Sequence, residues 1–283
     1  MRNRKVVYTC ITGNYEPLSD PAFVSDGFDY VCFTDSSGMT SNIWKFRPMP
    51  EELDGLNVVK RQRCVKICPH KYLPEYDLSV WVDGSVKLIG NLNEFISNEC
   101  GDSTISIPKH PKRTCIYKEE EAVVSIKKDK KINTWPQILR YKKEGFPSNY
   151  GLVQSNIVIR KHNDDKCKAF MDDWWDEVKN GSKRDQLSFD YVRWKHEDTT
   201  VNMLDKDTCQ SKYFKWDAYH GKKKVQKIEV DDVADIIKKT RKAPLRPSTI
   251  RPVKNDTFNK TISSNPITRR KAVSEKLASF LKA

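Results

Sequence analysis

The stretch Leu78-Ser79-Val80-Trp81-Val82-Asp83-Gly84-Ser85 decides the fold. Val80, Trp81 and Val82 favour a strand, and the run ends abruptly in an acid, a glycine and a hydroxyl. Gly84 permits the tight exit that an acid beside a ligand needs. Open α/β sheets hold their ligands at the carboxyl edge of the strands. The pattern therefore predicts a buried strand that delivers Asp83 to such an edge. The competing reading is that Asp83 only caps a turn or the next helix.

Working outward, Val6–Ile11 and Asp29–Asp35 read as two further strands, with Thr12, Gly13 and Asn14 as the turn after the first. Residues 57–71 read as a helix that carries Arg61, Arg63 and Lys66 and is disturbed by Pro69. Residues 91–97 suggest a short helix, 104–107 a strand, and 116–131 and 134–144 two helices before the Gly145-Phe146-Pro147 break. Residues 151–160 read as a buried strand pair, or one strand with a bulge. From Lys166 to Val178 the apolar positions Phe170, Met171, Trp174, Trp175 and Val178 recur at helical spacing, and a second helix begins near Arg184. Strands alternating with helices over 220 residues predict a three-layer α/β domain.

The chain has 283 residues, 37% of them hydrophobic and 10% aromatic, enough for a sizeable core. Its formal charge of +13 is unevenly placed. Residues 221–283 hold 17 Lys and Arg against 6 Asp and Glu, which leaves 34 against 32 for residues 1–220. The expected organisation is a near-neutral domain over 1–220 followed by a basic extension over 221–283. That extension reads as a short helix (230–239), a proline-interrupted linker (240–268) and an amphipathic helix (269–282). Its Val273, Leu277, Phe280 and Leu281 stripe, flanked by basic residues, suits peripheral contact with an anionic membrane surface. No apolar run reaches the roughly 18–20 residues of a membrane span, and the polar N-terminus lacks a signal-peptide hydrophobic region. Eight scattered cysteines without a CxxC pair point to a reducing, cytoplasmic setting.

Six blocks of the chain resemble the TOD1/MUCI70-like glycosyltransferase domain family. They are VVYTCITGNYE, YVCFTD, RQRCVKICPHKYLPEYDLSVWVDGSV, KHPKRTCIYKEEEAV, GLVQSNIVIRKHND and WWDEVKNGSKRDQLSFDYVRWK, in that order over about residues 5–200. The resemblance implies a GT-A-like fold with a mostly parallel sheet and helices on both faces. It also implies transfer of a sugar from a nucleotide sugar, a UDP-sugar being favoured, to a glycan or lipid-linked acceptor in surface polysaccharide or glycan synthesis. It does not specify the sugar.

Within that frame Asp83 is the expected ligand of a divalent cation, Mn or Mg, because such hard ions prefer oxygen donors. Ser85 stands where a second acid is common, which puts metal dependence in question. Thr12, Gly13 and Asn14 approach the nucleotide by backbone, and Asp35 ends the second strand within reach of base or ribose. Arg61, Arg63 and Lys66 fall at i, i+2 and i+5, so they cannot all face one way, but at least one points at the diphosphate. His110 and Asn156 join the expected donor contacts. Glu119, Glu120 and Glu121 form a charge run from which Glu119 or Glu120 contacts sugar hydroxyls, and Gln186 stands beside the acceptor. Asp185 is the expected base that takes the acceptor proton. His196 and His220 are candidate late additions to the metal shell. For most of these residues ordinary capping or solvated charge is an equally ready explanation.

Three other classes compete. A nucleic-acid-binding protein would suit the basic tail, but the near-neutral body and the lack of a recognised finger argue against it. A nucleotidyltransferase would want further carboxylates clustered near Asp83. An inactive glycan-binding member of the family would keep the fold without the chemistry.

Overall fold

The computed structural model describes residues 4–13 and 15–216. Asn14, His220 and the whole 221–283 extension lie outside the described residues, as do the domain boundary near 220 and the membrane-contact helix. No helix among the described residues is long and apolar enough to cross a membrane.

The chain opens with β1 (Lys5–Ile11), β2 (Phe28–Thr34) and β3 (Lys45–Pro48), then α1 (Val58–Ile67) and α2 (Pro69–Tyr72). Next come β4 (Leu78–Val82), β5 (Val86–Leu88), α3 (Leu92–Phe95) and β6 (Ile105–Pro108). After these follow α4 (Ile116–Ser125), α5 (Lys131–Lys143), β7 (Ile157–Arg160), α6 (Asp165–Asn180), α7 (Gln186–Lys195), β8 (Val201–Leu204) and β9 (Phe214–Trp216). Seven strands form one sheet in the order β3-β2-β1-β4-β7-β6-β8, while β5 and β9 pair separately. β3, β2, β1 and β4 run parallel, as do β6 and β8; β7 is antiparallel to both of its neighbours. This is the expected α/β class with a mostly parallel central sheet.

Alternation explains the layers. Along β1, Val6, Tyr8 and Cys10 enter one core, and Val7 and Ile11 enter the other. Trp81 on β4 joins the first core, while its neighbours Val80 and Val82 join the second. A strand buried on both faces needs apolar residues at successive positions, which is how these runs read. The first face is covered by α1, α6 and α7, with the predicted stripe Phe170, Met171, Trp174, Trp175 and Val178 fully in that core. The second face is covered by α3, a π-helical segment Ile96–Cys100 and the β5–β9 pair.

α1 is capped by Asn57, whose side chain accepts from the Lys60 amide, and it stops at Cys68 before Pro69 opens α2. Its C-terminal carbonyls are held from the sheet. Tyr8 OH donates to the Lys66 carbonyl at 2.6 Å, and the fully buried Arg160 donates to the Lys66 and Ile67 carbonyls at 2.9 and 3.3 Å. The end of α1 is therefore pinned beneath β1 and β7. That pin aims Lys66.

Three segments depart from expectation. The helix expected over 116–131 ends at Ser125, because the backbone turns at Lys127 (φ 56°) before α5 begins. Residues 151–156 are not strand; Val153 makes an isolated bridge to Lys109, and a turn at Ser155-Asn156 leads into β7. The short strands β3, β5, β8 and β9 were not anticipated, since three or four residues carry too little alternation to register. All eight cysteines are buried and unpaired.

Candidate active site at the carboxyl edge of the sheet

Asp83 is the first residue beyond β4, at the carboxyl edge of the parallel strands. Its amide donates to the Asn156 carbonyl at 2.8 Å, and its own carbonyl accepts from the Val86 amide at 2.8 Å, closing the turn through Gly84 and Ser85. Trp81, two residues back on the same face, donates its indole N–H to Asp83 Oδ1 at 2.8 Å. The carboxylate is thus fixed by its own strand and left 24% exposed.

Beneath it lies a buried charge cluster. Lys66 Nζ stands 2.7 Å from Asp185 Oδ2, 3.0 Å from Ser155 Oγ and 3.5 Å from Asp83 Oδ1. Ser155 Oγ donates in turn to Asp185 Oδ2 at 2.9 Å, and Arg63 Nε lies 3.3 Å from Asp185 Oδ1. Lys66 and Asp185 are each only 1% exposed. Burial lowers the proton affinity of the Lys66 amine, opposed by the charges of Asp185 and Asp83. Burial alone would raise Asp185, but Arg63, Lys66 and Arg184 hold it well below the usual carboxylate range. Lys66 and Asp185 form a buried ion pair with hydrogen bonds to spare.

This geometry bears on two expected roles. Asp185 was expected to face an acceptor as a base; its oxygens are engaged by Lys66, Ser155 and Arg63, and the residue is buried. Lys66 was expected at the diphosphate, yet its ammonium does not reach the surface. Lys66 lies 3.5 Å from Asp83, and Asp185 lies 3.3 Å from Arg63. Of the three cations on α1, Arg63 and Lys66 share one face at i, i+3, whereas Arg61 turns to Asp54 at 2.9 Å.

Two residues at this edge were not singled out by sequence. Arg184 precedes Asp185 and donates to Gln186 Oε1 at 3.0 Å. Its Nε and that of Arg63 are buried, with no hydrogen-bond partner among the described residues. Buried guanidinium N–H groups facing carboxylates without a bonded acceptor fit an anionic ligand. Glu16, in the loop after β1, packs its carboxyl group against Gly84, where a Cβ would stand 2.7 Å from Cδ. Burial and the charge of Asp83 raise Glu16 to about 7, with Arg63 opposing. The sequence signal for Glu16 was present, inside the block VVYTCITGNYE, but an acid in a loop has no periodicity to mark it.

The remaining candidates separate. Gly13 (φ 62°) donates its amide to Asp35 Oδ1 at 2.9 Å, so the ends of β1 and β2 are tied together beside the buried Thr12. Asn156 stands in the turn before β7, and Ser85 in the turn after Asp83, both half-buried. Gln186, the first residue of α7, donates to the Val153 carbonyl at 3.2 Å. His110 accepts the amides of Lys112 and Arg113 at its Nδ1 (3.1 and 3.0 Å), and burial lowers its pKa, which makes it a neutral loop organiser. Arg113 pairs with the buried Glu119, and Glu120 accepts from Thr134 Oγ1 at 2.5 Å. Glu121 is exposed. His196 leaves the far end of α7, about 15 Å along the helix from Asp185, and bonds Asp173 at 2.7 Å. It does not join Asp83.

A pocket of about 300 Å³ is lined by Glu16, Pro17, Leu18, Met39 and Thr40, next to the β1 and β2 ends. A larger groove of about 690 Å³ runs between α5 and α6, but its polar walls, Gln137, Arg140 and Glu177, already bond one another. Cys68, His70 and Asp172 converge closely enough to hold a metal ion. However, Lys71 Nζ already sits 2.5 Å from the same Asp172 oxygen that faces His70, so a cation there would meet a like charge.

Two predictions follow from the charges. Lys66→Met leaves Asp185 with Ser155 and its arginine partners and should destabilise the fold by about 3 kcal/mol in urea unfolding, since breaking a buried pair strands the other charge; a loss under about 0.5 kcal/mol, the size of an ordinary surface change, contradicts the pair. Glu16 holds its proton more tightly folded than unfolded, so its favourable contribution is complete below about pH 4.5 and is lost as pH rises through about 7. Glu16→Gln, which cannot ionise, should therefore gain Tm relative to the parent between pH 5 and pH 8 in chelator-treated buffer. A pH-independent difference contradicts that environment.

One family model matches more than half of the chain. The profile of the TOD1/MUCI70, glycosyltransferase-like domain matches residues 42–220. A "Probable hexosyltransferase MUCI70" of Arabidopsis thaliana is 28% identical over 171 residues, which are 55% of this chain but only 28% of that protein. Mouse xyloside xylosyltransferase 1 is similar in structure at 10% identity and a TM-score of 0.42, over 71% of this chain and 84% of that one. The glycosyltransferase GlyE of Streptococcus pneumoniae TIGR4 is similar at 10% identity and 0.41, over 73% and 46%. The matched span contains Arg63, Lys66, Asp83, Ser155 and Asp185 together, and the chain belongs to the TOD1/MUCI70 glycosyltransferase-like domain family.

Proposed function

We propose that this chain is a nucleotide-sugar-dependent glycosyltransferase whose donor lies across the carboxyl edge of β1, β2 and β4. The observation that carries the reading is the pairing of one fixed, partly exposed carboxylate, Asp83, with two arginines, Arg63 and Arg184, whose buried Nε atoms have no hydrogen-bonded acceptor among the described residues. A nucleoside diphosphate offers the missing acceptors. Arg63 and Arg184 would bind its phosphate oxygens and stabilise the charge that develops as the sugar leaves. The pocket beside Asp35 and the Thr12-Gly13 turn suits the nucleoside, with a UDP-sugar as the favoured donor. Asp83 faces the diphosphate and sugar. Lys66 and Asp185 keep Arg63 and Asp83 in register from below without touching substrate.

A divalent cation held by Asp83 would neutralise diphosphate charge and help the leaving group depart. The acceptor is a glycan or lipid-linked saccharide, and surface polysaccharide or glycan synthesis is the setting that suits it. A nucleotidyltransferase is less well supported, because the family model that matches the chain is of a glycosyltransferase-like domain and Asp185 is neutralised by Lys66 and Arg63.

A panel of nucleotide sugars tests the reading, with free nucleotide release measured with and without saccharide acceptors. One donor should be turned over, and Asp83→Asn should lower that turnover at least 100-fold with an unchanged melting curve. Wild-type turnover by a folded D83N protein, or turnover of no donor alongside nucleotide incorporation into product, contradicts the proposal.

A further inference from the structure

The Asp-Gly-Ser turn has one acid where a hard cation bound with a diphosphate usually meets two, and the fold carries the other in a different loop. We propose that Glu16 is the second protein carboxylate of a divalent-cation site shared with Asp83, an inference that rests on the donor-site reading above. In sequence Glu16 is a lone loop acid, but the fold places its carboxyl group in the space where residue 84 would carry a Cβ. An ideal Cβ at Gly84 would lie 2.7 Å from Glu16 Cδ and 3.1 Å from its Cγ, so a side chain there would displace the flexible Glu16 carboxyl group. Gly84 is thus a cradle for the Glu16 carboxyl group, immediately after Asp83.

The donor set fits a hard ion. Asp83 Oδ1 is occupied by the Trp81 indole and faces Lys66, which leaves Oδ2 for a ligand. No hydrogen bond among the described residues ends on the Glu16 carboxyl oxygens, and the hydroxyl of Ser85 stands in the same turn. All of these donors are oxygen, as Mg²⁺ and Mn²⁺ prefer. The mutual charge of Glu16 and Asp83, unfavourable when they are alone, is what a divalent ion relieves. An independent sign that this edge takes a charged ligand is the pair of arginines there, Arg63 with its Nε 3.3 Å from Asp185 Oδ1 and Arg184 with a buried Nε that no acceptor bonds among the described residues. They would serve the diphosphate side, leaving the cation between the phosphates and the two acids. In this reading the absence of a second acid after Asp83 does not make the protein metal-independent.

Direct Mn²⁺ binding tests this without relying on turnover. The full 283-residue chain is titrated with Mn²⁺ in the presence of UDP, free Mn²⁺ being read by electron paramagnetic resonance, and UDP binding is followed separately by calorimetry. Glu16→Gln and Asp83→Asn should each weaken Mn²⁺ at least tenfold. Gly84→Ala, which keeps both acids but fills the cradle, should weaken it in the same direction, while Asp172→Asn at the other metal-compatible cluster should leave it unchanged. Melting curves establish that each variant is folded. Parent-like Mn²⁺ affinity in folded E16Q overturns the proposal, as does loss of binding in D172N alone. UDP bound by the parent with no Mn²⁺ taken up overturns the Glu16 site and spares the transferase reading. Mn²⁺ bound through Glu16 and Asp83 with no affinity for any nucleotide supports the site and counts against that reading.

Discussion

The arrangement depends on one constraint: the ammonium group of Lys66 is enclosed by protein, and a buried charge must be compensated where it stands. Asp185 meets it at 2.7 Å, Ser155 bonds both partners, and Asp83 receives its residual field at 3.5 Å. Four segments distant in sequence are thereby drawn to one point: the last turn of α1, the turn after β4, the turn before β7 and the start of α7. An apolar cluster of equal volume would pack as well, but it would not orient a carboxylate. The ion pair sets direction as well as contact.

The pair in turn depends on how α1 ends. Helix C-terminal carbonyls need donors, and here Tyr8 from β1 and Arg160 from β7 supply them to Lys66 and Ile67. Those donors fix the last turn of α1 against two strands, and the Lys66 side chain leaves that turn toward the sheet edge. Asp83 is held independently, by the Trp81 indole on its own strand. Trp81 also lies in the core beside Tyr8, their rings 5.1 Å apart. Core packing, helix termination and site electrostatics therefore share residues, so a change at Tyr8, Trp81 or Arg160 acts on the site through the scaffold.

Much of this was legible in the sequence. The strands of 6–11, 29–35 and 78–82 are long apolar runs, and the Phe170-to-Val178 stripe is strongly periodic, so both pattern and propensity pointed one way. The place of Asp83 was legible because the apolar strand run stops at it, although an acid there also suits a simple cap. Proximity was not. Nothing in the spacing of Arg63, Lys66, Ser155 and Asp185 says that they converge, because their meeting is decided by the antiparallel insertion of β7 between β4 and β6. Burial was not legible either. Asp185 at a helix start resembles an exposed base or cap, and only the fold shows that it is enclosed and paired with Lys66 and Arg63. Glu16 stayed hidden for the opposite reason, as its meaning lies in the missing side chain of Gly84.

The central claim is that the buried Lys66–Asp185 pair organises Asp83, Arg63 and Arg184 into a nucleoside diphosphate site. A crystal structure of the full chain with UDP tests it most directly. The diphosphate should lie beside Asp83, with oxygens within hydrogen-bond distance of Arg63 or Arg184 and Lys66 still buried against Asp185. UDP seated in the groove between α5 and α6, or a Lys66 side chain turned out to meet the phosphates with Asp185 left alone, would contradict it.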